Sequence, residues 1–350
     1  MATSITTDDA EARVRLQQDL AAICCNVHQP DDKPLFTREP VSPMRAHHWR
    51  RRDLEPMLAR LGSEIDLGMG GPRRTLRLAS PGLDAGTTPT FWASIQVILP
   101  GEVADAHRHT ANAFRFVMRG HGATTTVDGE SYAMHEGDLV LTPGGTWHDH
   151  KHHGDEPMVW LDVLDIPLMN ALHASFFEPG RSRQQDASPI PDPSFHRFGA
   201  GLMRPPGVPL GPDAGNPLLA YPAAMARTAL ASARLAEADP CDDVILEYQN
   251  PLNGRAVTRT MGMVQQVLRP GFEGCRRRCT GSKLFHAVEG RGRTTVGDAT
   301  YDWSAGDFFS VPPWTWHAHA NPFGADARLF QVNDHPAMRA LGFLREEVAA

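Results

Sequence analysis

The chain carries one strand pattern twice. Pro100-Gly101 is answered by Pro270-Gly271, Gly120-His121-Gly122 by Gly290-Arg291-Gly292, and Gly137-Asp138 by Gly306-Asp307. Thr146-Trp147-His148-Asp149-His150 is answered by Thr315-Trp316-His317-Ala318-His319. Between these landmarks lie short period-2 runs, such as FWASIQVILP, FRFVMRG and MVWLDVLD in the first copy and KLFHAVEG and ARLFQVND in the second. Each run is closed by Gly, Pro or Asp, so the pattern predicts short strands of a sandwich or barrel. A repeat of this kind predicts two copies of one mainly β barrel in tandem.

At 350 residues the chain has room for both copies and more. Residues 1–70 read as an arm with helices at Thr7 to Cys25 and Trp49 to Leu61, joined by proline-punctuated extended chain. Residues 71–168 form the first barrel and 241–350 the second. The segment 169–240 between them is rich in Pro, Ala and Gly, with one helix expected at Leu218 to Ala238, and reads as a linker.

A net charge of −7, with no basic run interleaved with aromatics, argues against nucleic acid as a partner. No apolar run approaches the roughly 20 residues needed to span a membrane. The opening MATSITTDDAEARVRLQQDL is polar and acidic, unlike a secretory signal. Five cysteines, an odd count at irregular spacing, fit a reducing cytoplasm, so the expected location is cytoplasmic.

His107 and His109 stand at i and i+2 in PGEVADAHRHT, and His148 and His150 at the same spacing in GDLVLTPGGTWHDH. Strand alternation puts each pair on one face. A cluster of neutral nitrogen donors of this kind suits a divalent transition metal. The second copy is an internal control, because His107 falls on Arg277 and His109 on Cys279, while His148 falls on His317. One live and one dead metal site follow. A second metal on Cys275, Cys279, His317 and His319 is disfavoured, since Arg277 occupies a ligand slot.

The pattern PGx5HxHT followed by GDxxxxPxxxxH resembles the cupin signature. Together with the two-barrel layout, AHRHT, FRF, VDGE and TWHDH followed by WLDVLDIPL, the chain resembles the gentisate 1,2-dioxygenase family, which includes salicylate and 1-hydroxy-2-naphthoate 1,2-dioxygenases. The resemblance implies a bicupin fold, a homotetramer, and one Fe(II) per chain in the first cupin. It implies His107, His109 and His148 as the iron ligands, and a substrate 2-hydroxybenzoate chelated through carboxylate and hydroxyl. O2 then opens the ring between the carbons bearing those groups. Ala113 and Phe114 stand where many cupins carry an acidic fourth ligand, which supports a three-histidine site.

Further roles are expected around that centre. Arg115 shares the parity of His109, and a guanidinium facing into a barrel suits a carboxylate. The resemblance makes it the substrate-carboxylate binder, with one of Arg73 and Arg74 as a second contact. His150 should point inward beside the metal as an acid or base, or as a hydrogen-bond partner behind it. Asp162 is expected to orient a histidine or an arginine. Trp92, Ser94 and Gln96 alternate on one strand and should grip a flat ring. Trp92 replaces the Tyr common among gentisate users and leans toward monohydroxylated substrates. Gly144-Gly145 replaces a bulkier residue, predicting a wider or more mobile pocket edge, and His152 and His153 read as a solvated turn. The competing readings are a metal-binding bicupin without turnover and a different cupin enzyme.

Overall fold

The computed structural model describes residues 7–28, 34–65 and 74–349. Residues Met1–Glu39 form a unit of their own, whose described element is the helix Thr7–Ala22. Everything from Pro40 onward forms the second unit and contains both barrels.

Each barrel is a six-stranded antiparallel sheet facing a five-stranded one. In the first barrel the larger sheet centres on Ala113–Arg119, Met158–Leu164 and Trp92–Ile98, with Leu139–Thr142 and Thr75–Arg77 outside them. The smaller sheet holds Val103–His109, His148–His152 and Ala123–Val127. The second barrel repeats the plan, with Lys283–Glu289, Ala327–Asn333 and Gly262–Leu268 opposite Arg277–Cys279, His317–Ala320 and Arg291–Val296. The register repeats too, with His107 opposite His148 in one barrel and Arg277 opposite His317 in the other.

The alternation of the larger sheets divides the core. Along Trp92–Ile98, Ala93, Ile95 and Val97 join Phe114, Phe116 and Leu161 in a seam with Leu284, Phe330 and Val332 of the second barrel. Phe116 stacks on Phe330 at 4.1 Å between ring centroids. Residues of the opposite parity enter the barrel, where Ile98, Val117, Met134, Met158 and Trp160 fill one end.

Helix Arg51–Glu64 fits the expected amphipathic segment and buries Leu54 and Leu58 against the seam. Its start is anchored by the second barrel, since Arg51 N donates to Asp307 Oδ1 at 2.7 Å, satisfying one of the free N–H groups of the first turn. The preceding strand His48–Trp49 pairs with Phe308–Phe309.

The segment 169–240 is not a free linker. Phe177–Pro179 pairs with His107–His109, Ala220–Tyr221 pairs with Leu139–Val140, and the helix there spans Ala223–Ala233. Leu218 and Tyr221 are drawn into the core instead of the helix, and Pro222 sets its start. The first barrel therefore runs past residue 168 to Pro179, as the second runs to Val348 on Arg277. Cys241 and Cys275 are joined in a disulfide, which the odd cysteine count did not foretell. Among the described residues no helix is long and apolar enough to cross a membrane.

Candidate metal centre

His107 and His109 come from one strand and His148 from its antiparallel neighbour, and one ring nitrogen of each lies within 4.8 Å of the others. The Nδ1 atoms are engaged elsewhere, at 2.7 Å from Asp105 O, 2.9 Å from Ala111 O and 3.1 Å from Thr146 O. A carbonyl only accepts, so each Nδ1 carries the ring proton and each Nε2 presents a lone pair to the common centre. His148 Nε2 is buried without a hydrogen-bond partner. Burial, then Arg115 and the other two imidazoles, push His148 well below the ordinary histidine range and keep it neutral. Among the described residues no carboxylate shares that sphere. Three converging neutral donors fit a divalent transition metal.

Arg115 is 1% exposed and lies opposite Asp162 in the register, with Asp162 opposite Ser94. Its guanidinium donates to Thr142 Oγ1 at 3.2 Å and stands 3.6 Å from Asp162 Oδ1, while its Nε has no hydrogen-bond partner. Burial lowers the guanidinium pKa and Asp162 opposes the fall. A buried cation with an open donor and one loosely held carboxylate is suited to receive an anion.

His150 is fully buried, its ring 6.0 Å from that of His148, with Nδ1 at 2.8 Å from Thr125 Oγ1. Trp92, Ser94 and Gln96 share the parity of the Asp162 row. Ser94 Oγ donates to Asp162 O at 3.4 Å, and Trp92 Nε1 and Gln96 Oε1 are buried without partners. These open polar atoms give the interior a hydrogen-bonding character that an apolar core would not tolerate.

Several expectations are corrected. Arg74 is held away from the pocket, ion-paired with Glu102 and donating through Nε to Ile65 O at 2.7 Å. Arg73 lies outside the described residues. The Gly144-Gly145 edge is clamped rather than loose, because Gly144 N donates to Asn112 Oδ1 and Gly145 N to His109 O. A Cβ on Gly144 would sit 2.2 Å from Thr110 O. His152 is buried in a strand, its Nε2 at 2.6 Å from Glu156 O, and only His153 faces solvent.

In the second barrel the cysteine half of the imagined metal site is spent. Cys275 is in the disulfide and Cys279 Sγ lies 3.3 Å from His335 Nε2. Sequence reasoning missed Thr142, Thr125 and Arg77, whose guanidinium carbon lies 4.5 Å over the Trp92 ring. The repeat held a signal for Thr125, since it falls on Thr294, which stands at the same 2.8 Å from Nδ1 of His319.

The Cupin domain family model matches residues 94–164 and 264–333, one stretch in each barrel. The chain is 40% identical to a 5-aminosalicylate 1,2-dioxygenase of a Comamonas species, covering 89% of this chain and 84% of that one. It is 38% identical to gentisate 1,2 dioxygenase 1 of Aquipseudomonas alcaligenes, covering 89% of each. The crystal structure of salicylate 1,2-dioxygenase from Pseudoaminobacter salicylatoxidans, described as adducts with gentisate, matches with a TM-score of 0.90 at 32% identity, over 100% of this chain and 96% of that one. With two cupin barrels, one three-histidine centre and relatives that match nearly end to end, the chain belongs to the gentisate 1,2-dioxygenase family of bicupin ring-cleaving dioxygenases.

Proposed function

We propose that this enzyme uses Fe(II), one per chain in the first barrel, to insert both atoms of O2 into a 2-hydroxybenzoate. The ring is cleaved between the carboxyl-bearing and hydroxyl-bearing carbons. Candidate substrates are gentisate, salicylate, a 5-substituted salicylate such as the 5-aminosalicylate of the Comamonas relative, and 1-hydroxy-2-naphthoate. The observation that carries the reading is Arg115, a buried guanidinium with an open Nε on the same interior as three converging imidazoles.

His107, His109 and His148 would hold the iron, which supplies the electron transfer that lets O2 react with an aromatic ring. Arg115 binds the substrate carboxylate through its fork, and Asp162 keeps the guanidinium charged and aligned. His150 takes or holds the proton of the substrate hydroxyl. Trp92 gives the ring a flat wall, and Ser94 and Gln96 reach its substituents. The buried interior keeps bulk water from the reacting groups. A homotetramer, which the family resemblance implies, completes the proposal.

The test is O2 uptake by the Fe(II)-reconstituted enzyme with gentisate, salicylate, 5-aminosalicylate and 1-hydroxy-2-naphthoate, beside phenol lacking the carboxylate. Uptake matched by a ring-opened ultraviolet product, confined to the carboxylated compounds, is expected. No uptake from any of them with one iron bound per chain would overturn the proposal.

A further inference from the structure

Both barrels carry the same inner histidine, but the groups behind it differ. In the second barrel His319 Nδ1 lies 2.8 Å from Thr294 Oγ1, and Trp303 Nε1 donates to that oxygen at 2.9 Å. An indole N–H only donates, so the oxygen accepts from Trp303 and its own proton is available to His319 Nδ1. The ring proton of His319 is then on Nε2, which faces the Asp242 carboxylate at 3.9 Å.

In the first barrel Thr125 Oγ1 stands at the same 2.8 Å from His150 Nδ1. The repeat places Met134 where the second barrel has Trp303. Its Sδ lies 3.2 Å from Thr125 Oγ1, and all three residues are buried. A thioether only accepts, so the group at the end of this chain has the opposite polarity.

We propose that Met134 and Thr125 fix His150 as the tautomer protonated on Nδ1, the reverse of His319. The Thr125 hydroxyl donates to Met134 Sδ, and its oxygen accepts from His150 Nδ1–H. The hydroxyl has one proton; directed at the sulfur 3.2 Å away, it leaves the oxygen to accept from the ring nitrogen 2.8 Å away. Nε2, on the ring edge away from Thr125, keeps its lone pair and accepts the hydrogen bond of the substrate hydroxyl. That last step rests on the function proposed above; the tautomer does not. Thr125 and Met134 are thus positioning residues that act through His150.

The experiment is nitrogen-15 NMR of histidine-labelled protein loaded with Zn(II), a diamagnetic ion, the His150 signals being identified by their loss in His150→Gln. Protonated Nδ1 and bare Nε2 are expected in the wild type. Met134→Leu, close in size but without an acceptor, should move the ring proton to Nε2, while Thr125→Ser should leave it on Nδ1. With Fe(II), Met134→Leu should lower kcat by roughly tenfold or more, with KM little changed, because an aligned acceptor is lost. A wild-type His150 protonated on Nε2, or a tautomer unmoved by Met134→Leu, would overturn the proposal. A wild type with the expected tautomer and no turnover would instead count against the dioxygenase reading alone.

Discussion

Lys283 holds its ammonium 3.3 Å from Nε2 of His317, the nitrogen that in His148 of the first barrel faces the metal position. Lys283 falls on Ala113 in the repeat, and Arg277, on His107, is ion-paired with the buried Asp242. Burial raises the Asp242 pKa, but Lys283, His319 and Arg277 together pull it below the usual carboxylate range. The second barrel therefore carries its own cations where the first gathers three neutral imidazoles.

Lys283→Met should lower stability by about 2 kcal/mol, since it leaves the buried His317 Nε2 without its partner and removes one of the cations that favour the charged Asp242. The urea midpoint measures this. Metal content should stay at one per chain in both proteins, and two in the wild type would show that the second site is alive.

His148→Ala should remove metal and activity together, because His148 is the one donor of the three-histidine cluster that comes from the second strand. Elemental analysis after Fe(II) reconstitution, beside O2 uptake, checks it. Stoichiometric iron with full turnover in this variant would refute the ligand assignment.

Arg115→Met keeps the volume of the side chain and removes its charge. A lost charge-assisted contact of about 2–3 kcal/mol corresponds to roughly a hundredfold fall in kcat/KM for carboxylated substrates. Steady-state kinetics should show this with iron content unchanged.

Gly144→Ala and Gly145→Ala should part company. The first drives a Cβ into Thr110 O and should shift His109 next to it, weakening metal binding by about tenfold. The second has open space but a φ of +83°, so it should cost about 1 kcal/mol of stability and leave metal affinity alone. Metal titration and thermal unfolding separate the two.

His286 is buried and stacked on Phe308 at 4.3 Å, and burial pushes its pKa down to about 4. Between the unfolded value of about 6.5 and that folded value, the unfolded chain binds a proton that the native state refuses. Stability should therefore fall as pH drops through this window, by up to about 1.4 kcal/mol per pH unit. Metal-free wild type and His286→Leu, unfolded in urea at pH 7 and pH 4.5, should differ in this slope, with the variant flatter.

The strands, their duplication and the histidine pairs were legible because period 2 and the Gly, Pro and Asp turns are local signals. Parity alone places Arg115, Asp162 and Ser94 in one row. What stayed hidden depends on distant partners. Arg74 looks like a pocket residue until Glu102 is seen to hold it, and His152 looks solvated until its strand is paired. The Cys241–Cys275 pairing spans 34 residues with no framework to suggest it. The wrapping of 169–240 was missed because Phe177–Pro179 and Ala220–Tyr221 are too short to show alternation.

The seam between the barrels also constrains change. Ile95 and Phe116 lock against the second barrel, while their chain neighbours Ser94, Gln96 and Arg115 lie on the opposite, inward face. Two sets of requirements are thus interleaved along the same strands, one residue apart. A substitution at the inward positions can change the interior without loosening the joint. A one-residue insertion or deletion in these strands would exchange the two sets and ruin both. The inert barrel, clamped behind the working wall, acts as a stiff backing that lets that wall vary.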